Sequence, residues 1–295
     1  LIPYSFNDKI DPTIRTALFY KPAKLSSENI YKIDQFILRG NNALFIVDSF
    51  KFENLTASKN DSPIIQYLEH HGIIIKKDLI LDEHHSFTSF NSGYLNYTLP
   101  YPFWPKIQKK NINQKIAAFN QIHSMVFPWT SSIEHLQNSA IKSKPLISSS
   151  IKSWAQEFPF NLNPEQSFEP LIQKKHHLVM QFEGSFSSFF STNPFNETQL
   201  NKTNHATITV MTSSLFLNNR IINQYPSNLR FFLGLMDTLT QSSLSNIQPK
   251  GVNDYPILPI HPKYKLVLKL TATFLIPALL IIWGVIRYFK RKALQ

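Results

Sequence analysis

The sequence predicts an α/β fold: an open, mostly parallel sheet flanked by helices, followed by one C-terminal transmembrane helix. Three observations carry this reading. Residues 16–48 form a strand, helix, strand unit whose two strands are continuously apolar; residues 62–75 repeat that unit in weaker form; and 21 predominantly apolar residues run from Leu266 to Ile286.

In chain order, the apolar run at 16–20 (TALFY) is broken by Pro22. Ser26, Ser27 and Glu28 offer a helix start, Ile30, Ile33, Phe36 and Ile37 recur at helical spacing, and Gly40 closes the helix. The next run, 43–47 (ALFIV), ends at Asp48. Continuous rather than alternating apolar strands are buried on both faces, which is the signature of a parallel sheet between helices. In the weaker unit, Ser62 and Pro63 open a helix, Gly72 ends it and Ile73 starts a strand. Residues 83–113 read as irregular, because Pro100, Pro102 and Pro105 stand among Tyr and Trp. Strands are expected at 122–127, 145–149, 177–182 and 206–211. An amphipathic helix is expected over 226–241, with Leu229, Phe232, Leu233, Met236 and Leu239 at i, i+3, i+4 spacing.

At about 1.5 Å rise per residue the 266–286 stretch reaches across a hydrocarbon core of about 30 Å. Lys269 lies in its first turn, where it can snorkel to the interface, and Trp283 and Tyr288 lie at the other end, where amphipathic aromatics favour headgroups. Pro277 is tolerated because a spanning helix re-satisfies the freed carbonyl locally. The expected organisation is a globular domain over 1–249, a Pro-rich linker over 250–262, the membrane helix over 266–286 and a basic tail over 287–295. Arg287, Lys290, Arg291 and Lys292 crowd one side of the helix, so the positive-inside rule puts the tail in the cytoplasm and the bulk of the chain outside it.

Of the net charge of +11, seven basic residues and no acidic ones lie from residue 263 onward, leaving +4 for the rest. Basicity concentrated beside an apolar helix points to anionic lipid headgroups and away from nucleic acid. The chain has no cysteine, which excludes disulfides, thiolate metal sites and Cys nucleophiles. Its seven glycines are never closer than 17 residues, which excludes the glycine-rich phosphate loops and the G-x-S-x-G elbow.

The remaining chemistry is sparse. Asp48, at the end of a buried strand, occupies the position where open α/β sheets place ligands, although a cap or loop anchor is the commoner use. The histidines come as doublets (His70 and His71, His84 and His85, His176 and His177), and Asp82 and Glu83 precede the second. Without metal-ligand spacing they read as solvated loop residues. Thr212, Ser213 and Ser214 follow a strand but have no nearby base. The cluster Tyr101, Phe103, Trp104 suits a carbohydrate or peptide, or else covers a core edge. No catalytic residue, cofactor site or metal site is assigned.

The segment 31–40 (YKIDQFILRG) followed by 43–48 (ALFIVD) resembles the extracytoplasmic auxiliary subunits of ABC transporters, the GldG-like group associated with gliding motility and export. Segments similar in the same order are 64–82, 101–105 (YPFWP), 145–154, 178–190 ending GSFSSFF, and the C-terminal helix. The chain departs from the pattern at Asn41, where relatives have a second Gly, at Ser49, where they have Pro, and at Met211 to Ser214, where a Gly-Asp-Ser-like turn is expected. The resemblance implies a flavodoxin-like or amidotransferase-like fold without that fold's chemistry. It implies a non-enzymatic subunit at the bacterial inner membrane, working with a separate permease and ATPase. It also implies an N-terminal anchor and preceding segment, as relatives carry, that this sequence lacks. The competing expectations are a membrane-tethered hydrolase using Asp48 or the histidine doublets, and a module binding envelope polysaccharide or peptide.

Overall fold

The computed structural model of the chain describes residues 3–6, 10–53, 55–91, 93, 96–136, 140–192, 199–240 and 262–292. The chain divides into two compact units, Leu1–Val252 and Asn253–Gln295. Of the expected linker over 250–262, residues 250–261 lie outside the described residues, as do the last three tail residues, and Pro262 begins a helix.

The first unit opens with β1 (Thr16–Tyr20), α1 (Ser27–Leu38) and β2 (Asn42–Ile46), and β1 and β2 pair in parallel from Thr16↔Asn42 to Tyr20↔Ile46. The Ser26 side chain caps α1 by accepting from Asn29 N, and Gly40 follows at φ +83°, a conformation that costs a side chain but not glycine. A hairpin of β3 (Phe50–Glu53) and β4 (Thr56–Lys59) follows, then α2 (Pro63–His70) and β5 (Ile73–Ile75). Ser62 does not cap α2; its hydroxyl is turned to the carbonyl of Pro22.

Next come β6 (Asp78–Asp82), β7 (His85–Asn91), β8 (Asn96–Gln108), β9 (Ser124–Val126) and β10 (Ile133–His135). They are followed by β11 (Ile141–Ser148), β12 (Ser153–Glu157), β13 (His177–Gly184) and β14 (Ala206–Met211). Two helices, α3 (Asn219–Gln224) and α4 (Pro226–Thr240), close the unit.

The central sheet has the order β1-β2-β14-β13-β11. It is mixed rather than mostly parallel: β14 joins β2 in parallel, whereas β13 runs antiparallel to both β14 and β11. Burial on both faces does not require parallel neighbours, and here it comes from helices on both sides. Phe45 and Val47 pack with Ile33, Phe36 and Ile37 of α1 on one face, while Leu44 and Ile46 pack with Phe231 and Leu235 of α4 on the other. The second strand, helix, strand unit does not extend this sheet, because β5 pairs antiparallel with β10 in a separate ribbon.

The described residues within 83–113 are mostly in strands, against the sequence expectation of irregular structure. β8 pairs with β7 over Asn96 to Tyr101 and with β9 over Lys106 to Gln108, with a register shift where His85 meets Pro105. In these pairings no proline of β8 faces two strands at once, and proline is tolerated where its missing N–H has no partner to lose.

The second unit holds α5 (Pro262–Lys292). Within it Val267–Arg287 is long and apolar enough to cross a membrane, with mean hydropathy 2.0 and no buried side chain among the described residues. Lys269 and Pro277 lie within this stretch, and Arg287 stacks over the Trp283 ring at 5.4 Å. The backbone of Leu266, Lys290, Arg291 and Lys292 is helical too.

Candidate functional site

Because β1, β2 and β14 run in parallel and in register, their carboxyl ends at Tyr20, Ile46 and Met211 lie side by side. The residues that follow enclose a cavity of about 310 Å³ lined by Lys21, Val47, Asp48, Phe50, Lys51, Phe52, Asn60, Trp129, Ser214 and Leu215. Carboxyl ends of parallel strands are where open α/β sheets hold ligands. Asp48 lines this cavity.

Both carboxylate oxygens of Asp48 are engaged. Ser214 donates its N–H to Oδ1 at 2.6 Å and its hydroxyl to Oδ2 at 2.5 Å, tying the end of β2 to the loop after β14. Burial raises the Asp48 pKa; the Ser214 hydrogen bonds and the nearby Lys21 ammonium act in the opposite sense. Tyr20 donates its hydroxyl to the Ser214 carbonyl, and Asn60 Nδ2 donates to the Asp48 carbonyl at 2.7 Å. The neighbouring hydroxyls are committed as well: Thr212 donates to Ser131 O and Ser213 to Pro128 O, each at 2.6 Å. These three hydroxyls pin loops instead of facing a substrate.

Part of the cavity lining is aromatic. Phe52 and Trp129 stack with ring centroids 4.5 Å apart and planes 24° off parallel. Lys21 (φ +50°) and Trp129 (φ +46°) are both left-handed, and so is Leu55 (φ +60°) in the β3–β4 turn. Each such conformation costs a side-chain-bearing residue about 1–2 kcal/mol. Two of these three positions line the cavity, and strain of this kind concentrates where a site must be shaped.

The other predicted residues do not line the cavity, although Phe52 and Trp129 pack against the cluster that holds Tyr101, Phe103 and Trp104. Tyr101 is fully buried and donates its hydroxyl to Leu162 O, Phe103 is buried beside it and Trp104 is 9% exposed, so the aromatic cluster belongs to a core with Leu79, Leu81 and Trp154. The histidine doublets are not solvated loops throughout. His71 is buried against the rings of Tyr67 and Phe186, and burial lowers its pKa to about 3; His176 is buried as well, with its pKa lowered to about 4. Among the described residues no group of three or more His, Asp or Glu could hold a metal ion.

Asp82 is fully buried, accepting from the N–H and hydroxyl of Ser150 at 2.8 and 2.7 Å and from His84 N at 2.9 Å. Asp78 holds Ser132 in the same manner, and Asp34 holds Ser188 Oγ and Phe189 N. Lys21, Asn60 and Trp129 were not legible as site residues: they stand in separate turns, and a positive φ at a non-glycine residue leaves no mark in the sequence.

The family described as ABC-type uncharacterized transport system matches residues 2–242. The chain belongs to this family of transport-system auxiliary proteins. The match covers nearly all of the first unit, including every residue around the cavity, and stops before α5. Membership brings a transporter-accessory role and makes the apolar α5 consistent with membrane attachment. No curated protein matches the chain. Among solved structures, the mmIFT52 N-terminal domain is similar at 13% identity over 80% of each chain, with a TM-score of 0.46.

Proposed function

We propose that this protein is a non-enzymatic accessory subunit of an ABC-type transporter of the gliding-motility or export kind, tethered by α5 beside a separate permease and ATPase. The observation that carries the reading is the Val267–Arg287 helix, exposed and of mean hydropathy 2.0, on a chain whose other unit belongs to a transport-system family. Exposed leucines and isoleucines around a whole helix make sense in lipid or against another membrane helix. The basic residues from Arg287 to Lys292 favour a cytoplasmic tail, which leaves residues 1–249 outside the inner membrane, joined through a linker over 250–262. A hydrolase built on Asp48 is disfavoured, since both its carboxylate oxygens already hold Ser214.

Gentle detergent extraction followed by affinity purification of the full chain tests the proposal. A permease and an ATPase should co-purify in stoichiometric amounts. Recovery of the chain alone, even after cross-linking in intact membranes, would overturn it.

A further inference from the structure

The two edges of the central sheet are finished differently. At one edge β11 carries Lys142, Lys144 and Pro145, its register against β13 shifts twice between Pro145 and Ser148, and Ile147 is bridged by Ile112. Charge, proline and bulges are the devices by which natural sheets stop a further strand from adding. At the other edge β1 has none of them: Thr16–Tyr20 is uncharged, free of proline and in unbroken register with β2.

The direction of the β1 backbone follows from two bonds. Asn42 N donates to Arg15 O at one end, and Lys21 N donates to Ile46 O at the other. In a parallel ladder both backbone groups of alternate residues serve the same neighbour, so the odd-numbered residues face β2, and Thr16, Leu18 and Tyr20 turn their N–H and C=O outward. None of these six groups has a hydrogen-bond partner among the described residues. They stand at the open side of the sheet: no residue of β1 is buried, whereas Ala43, Leu44, Phe45 and Ile46 of β2 are each 0% exposed. Donors and acceptors that recur at every second residue, about 6.6 Å apart, match an extended polypeptide backbone.

Charge selects among strands. Arg15 and Lys21 flank β1, both exposed and neither in an ion pair among the described residues. Full antiparallel overlap with a second copy of this chain, centred on Leu18, sets Arg15 of each copy opposite Lys21 of the other, and like charges directly opposite are destabilising. A strand with an acid at each end meets attraction at both places, whichever way it runs. We infer that β1 is a docking edge for an extended segment of a partner protein, an uncharged run as long as β1 with an acidic residue at either end, which adds to the central sheet beside β1. The inference does not rest on the transporter reading, because β1 lies wholly within the first unit.

Fluorescence anisotropy with the full chain in a non-ionic detergent tests it. The probes are three blocked, labelled peptides: alternating valine and threonine with aspartate at both ends, the same run with lysine at both ends, and an aspartate-ended run with proline at every second position. The first should bind about tenfold more tightly than the second at low salt, the size expected when two opposite-charge cross-strand pairs replace two like-charge ones, and the third should not bind. Arg15→Glu and Lys21→Glu together should reverse the order of the first two. Leu18→Pro, which removes an outward N–H and no bond to β2, should abolish binding of the first. Equal affinity for the aspartate-ended and lysine-ended strands overturns the inference, as does no binding of the first peptide. Binding of the proline peptide overturns it too, since that is charge attraction alone, and so does a dimer of the unmodified chain that Leu18→Pro dissolves, since the occupant is then a second copy. The three-peptide comparison on the unmodified chain decides the matter even if Leu18→Pro fails to fold.

Discussion

The two units of this chain obey opposite solvent rules. In the first unit Ile33, Phe45 and Ile208 are completely buried, and the acids that share the interior with them are each matched by a serine. In the second, Leu268, Phe274 and Ile281 are 60%, 60% and 66% exposed along a helix whose stretch Val267–Arg287 has mean hydropathy 2.0. Hydrophobic content alone does not separate the two cases. What separates them is arrangement: in the first unit the sheet's apolar side chains are covered by helices on both faces, and in α5 the described apolar side chains recur, exposed, along the whole stretch.

The sharpest way to break this contrast is to charge α5. Replacing Leu275 and Leu279 together by Arg should cost about 2.5–3.5 kcal/mol each for insertion at the helix centre. The chain should then move from carbonate-washed membranes into the soluble fraction, while the unfolding midpoint of the first unit stays unchanged. Retention in the washed membranes would mean that α5 is not what holds the chain there.

The next largest effect belongs to Asp82. Its carboxylate is fully buried and satisfies three donors from Ser150 and His84. Asp82→Ala leaves those donors without partners and should cost about 3 kcal/mol in urea unfolding, against about 1–2 kcal/mol for Ser150→Ala, which removes the hydroxyl's bond to Asp82 and the one it accepts from Lys152 N but leaves the carboxylate with two donors. Equal losses would show that the pair does not act as a clamp.

The buried histidines add a pH dependence to the first unit. The His71 pKa is lowered to about 3 by burial and by the neighbouring His70, from an ordinary value of 6.5. In that window the unfolded chain binds the proton and the folded chain does not, so stability is full above pH 6.5 and falls as pH drops toward 3. At pH 5 the loss attributable to His71 is about 2 kcal/mol. Asp34, Asp48 and Asp78, whose pKa values are raised mainly by burial, act oppositely and gain stability as pH falls through their folded values. Comparing His71→Phe with the unmodified chain at pH 7 and pH 5 isolates the histidine: the variant should lose about 2 kcal/mol less over that interval. Identical losses would place His71 in water, not in the ring cluster.

The same physics explains what could be read from the sequence. The β1, α1, β2 unit was legible because its signals are local: apolar runs, a serine cap and a closing Gly40 all act within a few residues. Asp48 was legible as a strand-end acid for the same reason. The β7–β8 hairpin was not, because three prolines look disruptive until the register shows that β8 changes partners along its length. The direction of β13 and the pairing of β5 with β10 depend on contacts between distant segments, as does the cavity itself, assembled from residues as far apart as Lys21 and Ser214. His71 and His176 read as solvated because doublets carry no periodicity, whereas burial is decided by the rings and backbone that close over them.

The smallest predicted effect sharpens the comparison from its other end. Glu28 and Lys32 form an i, i+4 pair on α1 at 2.9 Å, with side chains 55% and 30% exposed for Glu and Lys respectively. By distance it resembles the contacts of Asp82, yet water screens both partners and each can be rehydrated when the other is lost. Glu28→Gln should therefore cost less than about 0.5 kcal/mol, and the cost should shrink further in 1 M salt, where the Debye length is about 3 Å. Lys32 also donates to the Phe6 carbonyl, so it stays anchored in the variant. A loss approaching that of Asp82→Ala would show that proximity rather than burial sets the strength of polar contacts in this unit; a loss several times smaller ties the strength of its serine clamps to their removal from water.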